Sequence, residues 1–537
     1  MIEVDAMSHH RGVTVPLSLL LALLVACGGS GSSGSGSSGS SGSSGTGSSD
    51  ESDTSATTGS SGLSTGSGAP TTSTGTTGTT GVAQEVTTEL VRYMTQPQVV
   101  DVVVTTSVAT DAISLTHPLD PGVVIEEYAV DGLARTFRVR GLAVDTEHSL
   151  EYAVDELAGT VDFITYPGLP GFIPTFEVAG GGVDPARPYR MFDLIPFPAF
   201  DTASVFMVDG QGTTRWHLGG PSTKVPGPEG VWTAVTQRAD GTIMFLHDHT
   251  MWIRDELGAT VLEISDDMLG VTGLHHELLE LPNGNFMALS FVFQDVDYGA
   301  AGVLQTAGDS IVEFTPAGEL VWTWDSFDHL DPQRVTEPFT TVVIHPETLA
   351  STYDWTHGNG IVYDAASDTL LLSLRHQDWV IKIDHKTGEV LWKLGPDGDF
   401  AFADDAAFYH QHAPEWQSDG SLLLYDNGVG DPGLAPAAVQ SRAVRYALDY
   451  KAMTATRVWT DDGEPILVPF AGNVDRLPGG RILVTDSSIT GMNGFWARLR
   501  ELDAGMTPML QWSLRTPDQS FAYRGTAHDR LIGQAAP

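Results

Sequence analysis

From about residue 185 onward, the hydrophobic and polar positions of the chain repeat in a loose unit. Each unit opens with a polar or histidine-bearing run, crosses a tight turn, and continues through apolar runs to a segment that contains tryptophan. The turns contain Asp240-Gly241, Asn283-Gly284, Asp419-Gly420 and Gly479-Gly480, and the tryptophans are Trp216, Trp324, Trp392, Trp459 and Trp512. Glycine in such turns supplies the positive φ that tight hairpins need. Six units, the second ending at about Leu262 without a tryptophan, predict a six-bladed β-propeller over residues 185–537.

A different β-rich pattern precedes these units, over residues 82–182. Short runs such as Val99–Val104 are separated by turn clusters such as Pro121-Gly122 and Asp131-Gly132, which is typical of a small β-sandwich. The segment Arg140–Leu150 resembles the late strand entry of fibronectin type III modules. The predicted fold class is therefore all-β, with a fibronectin III-like sandwich before the propeller.

The N-terminus has the pattern of a targeting signal. Its apolar run, Val13–Ala26, is shorter than the ~20 residues that span a membrane and suits the core of a signal peptide. The run ends in Leu24-Val25-Ala26-Cys27, which resembles a bacterial lipobox and implies cleavage before Cys27 and lipidation of its thiol. Residues 1–27 are interpreted as a lipoprotein signal peptide and the Gly/Ser/Thr-rich residues 28–81 as a flexible tether. We expect an exported, membrane-anchored bacterial lipoprotein, by analogy in the outer membrane, that faces the periplasm or the cell surface.

The charge balance excludes several classes of partner. The chain has 68 Asp and Glu against 27 Lys and Arg, a formal net charge of −41. Nucleic acid and anionic lipid surfaces both require clustered positive charge, so we expect no nucleic acid and no contact with the membrane beyond the lipid anchor. The single cysteine excludes an intramolecular disulfide and any CxxC-based metal or redox site.

Histidines carry the candidate chemistry. The sequence has no phosphate-binding loop, nucleophile elbow or HExxH signature. Instead, His275-His276, His357 and His412 open the third, fourth and fifth units, and Arg375 lies within the fourth. Because the first strand of each propeller blade lines the central channel, these side chains are expected to converge there. Several hydrogen-bond donors around one fixed positive charge predict a site for a small oxyanion such as sulfate, phosphate or a carboxylate.

The segment His247-Asp248-His249 is a weaker candidate. Alternate positions of a strand point the same way, so the two imidazoles could share a metal ion. Polar positions at the edge of a blade explain the same pattern with fewer requirements, and no metal site is predicted.

Segments across the repeated region resemble bacterial aryl sulfotransferases, the enzymes that work without a nucleotide sulfate donor. The resemblance covers most of the chain from Pro185 onward. It is carried by Gly273–Asn285, Asp354–Gly360, Ser373–Arg375, Ile381–Asp384, Leu391–Gly395, Tyr409–Ala413, Tyr425–Gly428 and Tyr523-Arg524. The resemblance implies a six-bladed propeller after a small β-sandwich, in agreement with the pattern of units.

The resemblance also implies a mechanism. His412 would be the nucleophile that takes the sulfuryl group from an aryl sulfate, giving a sulfohistidine, and a phenol would then accept the group in a ping-pong cycle. Arg375 and His357 would bind the sulfuryl oxygens. His276 would assist by proton transfer, although one sequence does not decide between it and His275.

Further expectations concern substrate binding. His275 and Asn359 are expected to contact substrate, with a turn cap as the alternative role of Asn359. Trp355, Phe408 and Tyr409 are candidates either to flank the phenol ring or to pack between blades. Small-molecule phenols and aryl sulfates are the expected partners, a homodimer stays open, and the implied mechanism needs neither a metal nor an organic cofactor.

Two other functions compete with sulfuryl transfer. The segment Lys382–Trp392 resembles the strand-turn-tryptophan phrase of quinone-dependent dehydrogenase propellers, but it occurs only once cleanly. A non-catalytic, surface-displayed binding propeller would use the tether for display. Formation of a sulfated phenol without a nucleotide donor would separate sulfuryl transfer from both.

Overall fold

The described part of the chain is all-β, as predicted. The computed structural model describes residues 65–67, 71–74, 84–110, 112–167, 174–196, 204–219, 232–403, 406–461, 463–503, 505 and 509–534. Its α-helices are the single turns Asp266–Leu269 and Ser326–His329, and its 3₁₀ turns are Gly299–Ala301, Arg375–Gln377 and Pro436–Ala438. The predicted signal peptide, Cys27 and most of the predicted tether lie outside the described residues. No helix within the described residues is long and apolar enough to cross a membrane.

Two sheets form the N-terminal part. The larger sheet contains Thr65–Ser67, Thr71–Thr74, Glu85–Tyr93, Val99–Thr106, Ala134–Arg140 and Val124–Asp131, and the smaller sheet contains Ile113–Thr116, Glu147–Val154 and Leu157–Ile164. Alternate positions of a strand point to one face, so each sheet presents one apolar face. Val102 and Val139 of the larger sheet therefore meet Leu150 and Tyr152 of the smaller one in a single core.

Buried ion pairs join these two sheets to the rest of the chain. Arg138 and Arg140 both contact Glu256, at 2.6 and 2.5 Å. Arg215 binds both carboxylate oxygens of Asp120, at 2.7 and 3.0 Å. Removing one partner of such a pair would leave an uncompensated buried charge, so these contacts tie the N-terminal part firmly to the remainder.

Six further sheets follow in the described part of the chain, and we number them sheet 1 to sheet 6. Sheet 1 contains Tyr189–Pro196, Ser204–Val208, Thr214–Gly219, Ser520–Phe521 and Gly525–His528. Sheet 2 contains Thr233–Gln237, Ile243–His247, Thr250–Arg254 and Thr260–Ser265. Sheet 3 contains Thr272–Glu280, Phe286–Asp297, Val303–Phe314, Leu320–Asp325, Val342–Ile344 and Ser351–Asp354.

Of the later sheets, sheet 4 has four strands, and sheets 5 and 6 have five each. Sheet 4 contains Gly358–Asp364, Thr369–Leu374, Trp379–Asp384 and Val390–Leu394. Sheet 5 contains His412–Trp416, Leu422–Asp426, Arg442–Asp449, Thr454–Thr460 and the short strand Ala401–Phe402. Sheet 6 contains Asn473–Arg476, Arg481–Gly491, Gly494–Asp503, Leu510–Arg515 and Glu177–Gly180.

The sheets are joined in a closed series. From sheet 2 to sheet 6, the first strand of each sheet contacts the first strand of the next. The last described strand, Gly525–His528, contacts sheet 6 and pairs with Tyr189–Pro196, so it completes sheet 1. Tyr189–Pro196 in turn contacts the first strand of sheet 2. Glu177–Gly180 pairs with Leu510–Arg515 of sheet 6. Those backbone hydrogen bonds place this strand with sheet 6, although it lies within the range 82–182 that the sequence assigned to the sandwich.

The repeated tryptophans make one recurring contact. Four of them donate the indole N–H to a backbone oxygen in the turn before the last main strand of the next sheet. The pairs are Trp216 with Glu256 (2.9 Å), Trp324 with Gly388 (3.0 Å), Trp459 with Gly505 (3.1 Å) and Trp512 with Gly210 (2.9 Å). The last pair joins sheet 6 to sheet 1. The tryptophan pattern therefore reflects how neighbouring sheets are locked together.

The predicted glycine turns are confirmed. A further turn, between His247 and Thr250, changes the interpretation of the pair His247 and His249. The φ angles of Gly241, Gly284, Gly420 and Gly480 are 86°, 83°, 79° and 81°. Asp248 and His249 also have positive φ, at 51° and 55°, and form the turn between two strands of sheet 2. The strand alternation that would have aligned His249 with His247 therefore does not apply there.

Candidate functional site

The predicted catalytic residues meet beside the first strands of sheets 3, 4 and 5. His276 belongs to Thr272–Glu280, His357 directly precedes Gly358–Asp364, and His412 begins His412–Trp416. The rings of His276 and His357 are 5.0 Å apart. Arg375 is close enough to all three imidazoles to disfavour their protonation. The structure thus brings together four residues that are far apart in the sequence.

Local backbone distortion turns these side chains out of the strand alternation. His276 and His357 have positive φ, at 55° and 50°, and the strand pairing shifts register beside each. Sheet 5 shows the same shift after His412, with Ala413 at 48°. Residues other than glycine rarely adopt this conformation, and bulges of this kind commonly re-aim a side chain near a functional site.

His412 has a defined tautomer. Its Nδ1 lies 2.8 Å from Oδ1 of Asn427 and 3.2 Å from the backbone oxygen of His410. The amide nitrogen of Asn427 donates to the carbonyl oxygens of Val468 and Ala471, both at 2.8 Å, so its oxygen must face the imidazole. Both neighbours of Nδ1 are acceptors, and Nδ1 therefore carries the proton. The lone pair is on Nε2, which has no hydrogen-bond partner among the described residues.

His357 is oriented by a carboxyl group. Its Nδ1 lies 2.7 Å from Oδ2 of Asp354, three residues earlier. Burial raises the pKa of Asp354 to about 7, against the opposing effect of Arg375. Above that pH the carboxylate accepts a hydrogen bond from Nδ1–H of His357 and fixes the orientation of its ring.

Arg375 is held by several groups in the same site. It begins the 3₁₀ turn Arg375–Gln377, and its backbone N–H donates to the carbonyl oxygen of His357 at 3.0 Å. Its Nη1 donates to Nε2 of His376 at 2.6 Å, and Nη2 donates to the carbonyl oxygen of Pro469 at 3.3 Å. His376 in turn donates from Nδ1 to the carbonyl oxygen of Asp354 at 2.9 Å. The guanidinium is thereby fixed beside the histidines.

Three of these residues have the spacing of a metal site. Asp354, His357 and His376 offer ligand atoms within 4.8 Å of one another. Nε2 of His376 accepts from Arg375, so its Nδ1 carries the proton and cannot bind a metal. The arrangement fits a hydrogen-bonded cluster that orients His357 and Arg375 better than it fits a metal centre.

Burial keeps the imidazoles of this site neutral. It lowers the pKa of each ring well below the ordinary value, and neighbouring imidazoles and guanidinium groups lower it further. The rings concerned are those of His275, His276, His357, His376 and His412. A neutral imidazole with a bare ring nitrogen can act as a nucleophile or as a base.

The two adjacent histidines have different surroundings. The His276 ring lies 5.0 Å from His357 and 5.8 Å from Tyr523. The His275 ring stacks on Phe291 at 4.0 Å, and its Nδ1 is 2.9 Å from Nδ1 of His276. His276 is therefore in ring contact with another of the predicted residues, whereas His275 reaches them through His276.

Asn359 makes a backbone contact next to the site. Its side chain is fully buried, and Nδ2 donates to the carbonyl oxygen of Gln411 at 2.8 Å. Nε2 of Gln411 donates to the carbonyl oxygen of Trp379 at 2.8 Å. These bonds anchor the segment that leads into His412. Oδ1 of Asn359 has no partner within the described residues, and substrate binding by Asn359 stays a prediction.

Aromatic side chains take the corresponding positions in sheets 6, 1 and 2. Trp232 precedes the first strand of sheet 2, Phe470 precedes that of sheet 6, and Tyr523 precedes the closing strand of sheet 1. They belong to one apolar cluster with Phe495 and Phe521, whose rings lie 5.5 and 5.4 Å from that of Phe470.

We name the two sides of the site by their residues. The histidine half consists of His275, His276, His357, Arg375, His376 and His412. The aromatic half consists of Trp232, Phe470, Phe495, Phe521 and Tyr523.

Two of the aromatic residues singled out in the sequence have packing roles instead. Trp355 is 1% exposed, stacks on Phe327, and donates its indole N–H to the backbone of Arg334. Phe408 is fully buried against Tyr446. Neither is available to flank a substrate ring.

The sequence analysis missed the residues that orient the predicted ones. Asp354 lies three residues before His357, His376 directly follows Arg375, and Asn427 directly follows the strand Leu422–Asp426. The available signal was a polar residue beside, or three residues from, a predicted site residue. That signal alone does not identify the partner.

Comparison with known proteins identifies a family. Residues 188–524 match the family described as Arylsulfotransferase (ASST). The chain is 27% identical over 342 residues to "Arylsulfate sulfotransferase AssT" of Escherichia coli O6:H1 (strain CFT073), which covers 51% of this chain and 54% of that protein. It is 25% identical over 338 residues to the protein of the same name from Lelliottia amnigena, with the same two coverages of 51% and 54%. The chain thus spans about half the length of these curated relatives.

Proposed function

Because this chain belongs to the arylsulfotransferase family, we propose that it transfers a sulfuryl group from an aryl sulfate to a phenol. The observation that carries the proposal is the tautomer of His412, which leaves the lone pair of a neutral imidazole on Nε2. Arg375 and His357 lie beside it, as a sulfuryl group would require.

We also infer a finer architecture from the sheets. The closed series of six sheets, with a C-terminal strand that completes sheet 1, supports a six-bladed propeller. The two N-terminal sheets with their common core support a small, fibronectin III-like sandwich. In this architecture the two halves of the site would surround the mouth of the central channel.

In the donor half-reaction, Nε2 of His412 attacks the sulfur of the aryl sulfate. The N–S bond forms while the bond from sulfur to the aryl oxygen breaks, and the phenolate leaves with the electron pair. Because burial keeps His412 neutral, no proton has to leave Nε2 first. The positive charge of the resulting sulfohistidine is stabilised by Oδ1 of Asn427 and the carbonyl oxygen of His410, which accept hydrogen bonds from Nδ1–H.

Arg375 and His357 bind the sulfuryl oxygens during both half-reactions. The guanidinium carries a permanent charge and is fixed by His376, so it needs no reorganisation when charge develops. In the free site His357 is neutral and its Nε2 is bare, so it donates only after binding of the anion has led to protonation of Nε2. An anionic substrate in front of the ring and the Asp354 carboxylate behind it both favour that form.

In the acceptor half-reaction, the phenol oxygen attacks the sulfur of sulfohistidine. The S–O bond forms, the S–N bond breaks, and the electron pair returns to Nε2 of His412. His276 takes the phenolic proton, which its lowered pKa permits because the ring is neutral before the step. The aryl rings of donor and acceptor pack against the aromatic half, where Tyr523 contacts His276.

The segment that favoured a dehydrogenase has a structural explanation. Lys382–Trp392 forms the last hairpin of sheet 4, and Gly388 within it accepts the indole N–H of Trp324 from sheet 3. A packing role between sheets accounts for this phrase without a quinone.

Export and a lipid anchor at Cys27 are part of the proposal. They would place the site in the periplasm or at the cell surface, and a nucleotide-independent donor suits a compartment outside the cytoplasm. Replacing Cys27 with Ser should move the protein from the membrane fraction to the soluble fraction, and an unchanged distribution would contradict the anchor.

The test of the function uses the full chain with 4-methylumbelliferyl sulfate, in the absence and presence of excess phenol. We expect fluorophore release that phenol accelerates, together with formation of phenyl sulfate, and neither in His412→Gln. Release without phenyl sulfate would indicate hydrolysis instead of transfer. Absence of release in the wild type, or equal release in the variant, would contradict the proposal.

A further inference from the structure

Asp309 is a buried carboxyl group behind the histidine half. It lies on Val303–Phe314 of sheet 3 and is 1% exposed. Its Oδ2 accepts from the hydroxyl of Thr356 and from the backbone N–H of Gly358, the latter at 2.6 Å. Its Oδ1 lies 3.3 Å from Nε2 of His275, and neither atom has a hydrogen-bond partner in the described part of the chain. Because unpaired buried polar atoms are costly, each of these two atoms is the natural partner of the other.

The second ring nitrogen of His275 passes this constraint to His276. The Nδ1 atoms of the two histidines are 2.9 Å apart, so one of them must donate to the other. Burial raises the pKa of Asp309 to about 7. Above that pH the ionised carboxylate holds the proton of His275 on Nε2, and Nδ1 of His275 can then only accept. Nδ1 of His276 must therefore donate, which leaves the lone pair of His276 on Nε2. This is the tautomer that can take a proton from a ligand.

We propose that Asp309 and His275 are positioning residues that hold His276 as the base for the acceptor phenol. The proposal rests on the sulfuryl transfer proposed above. In the acceptor step the phenol O–H bond breaks, its proton binds Nε2 of His276, and the phenol oxygen bonds to sulfur as the electron pair of the S–N bond returns to His412. The charge gained by His276 is shared with His275 and with the Asp309 carboxylate. The proton passes to solvent after the sulfated product leaves.

We call the two hydrogen bonds from His276 to His275 and from His275 to Asp309 the relay. The variant Asp309→Asn should reverse the direction of both hydrogen bonds. The asparagine oxygen would take the place of Oδ2, because Thr356 and Gly358 both donate there. Its NH₂ group would then face His275 and donate to Nε2. His275 would carry its proton on Nδ1, His276 would have to accept at Nδ1, and Nε2 of His276 would be blocked by a proton.

Two half-reactions measured separately test this reversal. Rapid mixing with 4-methylumbelliferyl sulfate alone reports the donor step as a burst, and subsequent addition of phenol reports the acceptor step. We expect the acceptor step of Asp309→Asn to slow by ~10²-fold or more while the burst changes little. Equal slowing of both steps, or an unchanged acceptor step, would overturn the proposal.

The nature of the acceptor provides a readout that a general loss of structure would not change. The ratio of wild-type to variant rate should be large with phenol, whose proton must be removed. It should be small with 4-nitrophenol, which is largely ionised in a mildly alkaline assay and needs no base. A ratio that is the same for both acceptors would contradict a role in proton transfer.

A second variant and a control protect the test against misfolding. His275→Phe keeps a ring that can stack on Phe291 but removes both nitrogens of the relay, and it should show the same dependence on the acceptor. Asp368→Asn is the matched control, because Asp368 binds the imidazole of His385 at a turn of sheet 4, outside the site, and it should change neither half-reaction.

The tautomer of His276 can also be measured without any reaction. In protein labelled with ¹⁵N-histidine, the resonances of His276 are identified by their loss in His276→Gln. At a pH above the pKa of Asp309, which is about 7, we expect the chemical shift of a bare Nε2 in the wild type and that of a protonated Nε2 in Asp309→Asn. A protonated Nε2 in the wild type would overturn the relay. An inactive wild type with the expected tautomer would instead contradict only the proposed sulfuryl transfer.

Discussion

The two halves of the candidate site both lie beside the inner strands of their sheets, but one half is built from histidines and the other from aromatic side chains. In the histidine half, Arg375 donates to the imidazole of His376 and to a carbonyl oxygen, beside rings that burial keeps neutral. Beside the aromatic half, Arg524 directly follows Tyr523, and both of its Nη groups donate to the carboxylate of Glu277, at 2.9 and 2.8 Å. One guanidinium is thus embedded among histidines, whereas the other forms a bidentate salt bridge.

This difference shows how a repeated fold can acquire a one-sided site. The first strands of neighbouring sheets contact one another, and the residues in or beside them decide the chemistry. Sheets 3, 4 and 5 have histidines in or directly before these strands, and sheets 6, 1 and 2 have Phe470, Tyr523 and Trp232 within three residues before them. A polar, oriented half and an apolar half match the two parts of an aryl sulfate, its sulfuryl group and its ring. The comparison therefore predicts that substitutions in the two halves affect different kinetic quantities.

The largest effect is expected for His412→Gln. The substitution removes the bare Nε2 and keeps a polar side chain of similar length, so the fold should survive while the nucleophile is lost. We expect sulfuryl transfer from 4-methylumbelliferyl sulfate to fall by at least ~10⁴-fold. The matched control is His385→Gln, at a turn of sheet 4 where the ring binds Asp368, and it should keep full activity. A His412→Gln enzyme that still transfers the group would mean that the histidine half does not supply the nucleophile.

The next largest effect is expected for Arg375→Lys. An ammonium group cannot reach His376 and the carbonyl oxygen of Pro469 at once, so the charge would remain but its geometry would be lost. We expect kcat to fall by ~10²–10³-fold, because a fixed donor to the transition state is removed. Steady-state kinetics should show Arg238→Lys unaffected, since Arg238 pairs with Glu280, at the far end of the strand that carries His276. A change confined to KM would indicate that Arg375 only binds the ground state.

Part of this comparison could be predicted from the sequence, because turns and contacts between sheets require particular residue types at regular intervals. Glycine at positive φ marks the turns, and tryptophan marks the contacts between sheets, so the β-rich units were visible. The histidines were visible because they recur at the starts of units. Their partners were not, since a partner is defined by strands that meet only in the fold. Asn427 of sheet 5, for example, is oriented by Val468, and Asp309 of sheet 3 by Thr356.

The proposal of His276 as the base, in preference to His275, rests on the structure for a related reason. In a regular strand the two side chains would point to opposite faces, and either face could have been the channel. The positive φ of His276 breaks that alternation and lets the two rings meet through their Nδ1 atoms. A bulge of this kind depends on strand register, which one sequence does not reveal.

A smaller effect is expected in the aromatic half, for Phe470→Ala. Phe470 is partly buried, packs on Phe495 and Phe521, and adjoins the residue whose carbonyl oxygen binds Arg375. Loss of its ring should raise the KM for an aryl sulfate about tenfold, with a smaller change in kcat. Phe402→Ala is the matched control, because Phe402 is also partly buried but packs on Phe408 in another cluster. A fall in kcat with unchanged KM would mean that this side of the site acts on the chemical step.

The smallest effect concerns stability, and it again separates the halves. Burial lowers the pKa of His412 well below 6.5, the ordinary value that the unfolded chain would have. Between these two pKa values the unfolded state binds a proton that the folded state does not, so this residue costs stability as the pH falls below about 6.5. As the pH falls from about 7.5 to about 5.5, the free energy of unfolding of His412→Gln should therefore rise by ~1 kcal/mol relative to that of the wild type, a relative shift of the order of 1–2 °C in Tm. Phe470→Ala removes only apolar contacts, so its change in Tm should be the same at both pH values. If thermal unfolding showed no pH-dependent gain for His412→Gln, then the fold would not lower the pKa of His412, and the histidine half would lose its neutral nucleophile below about pH 6.5.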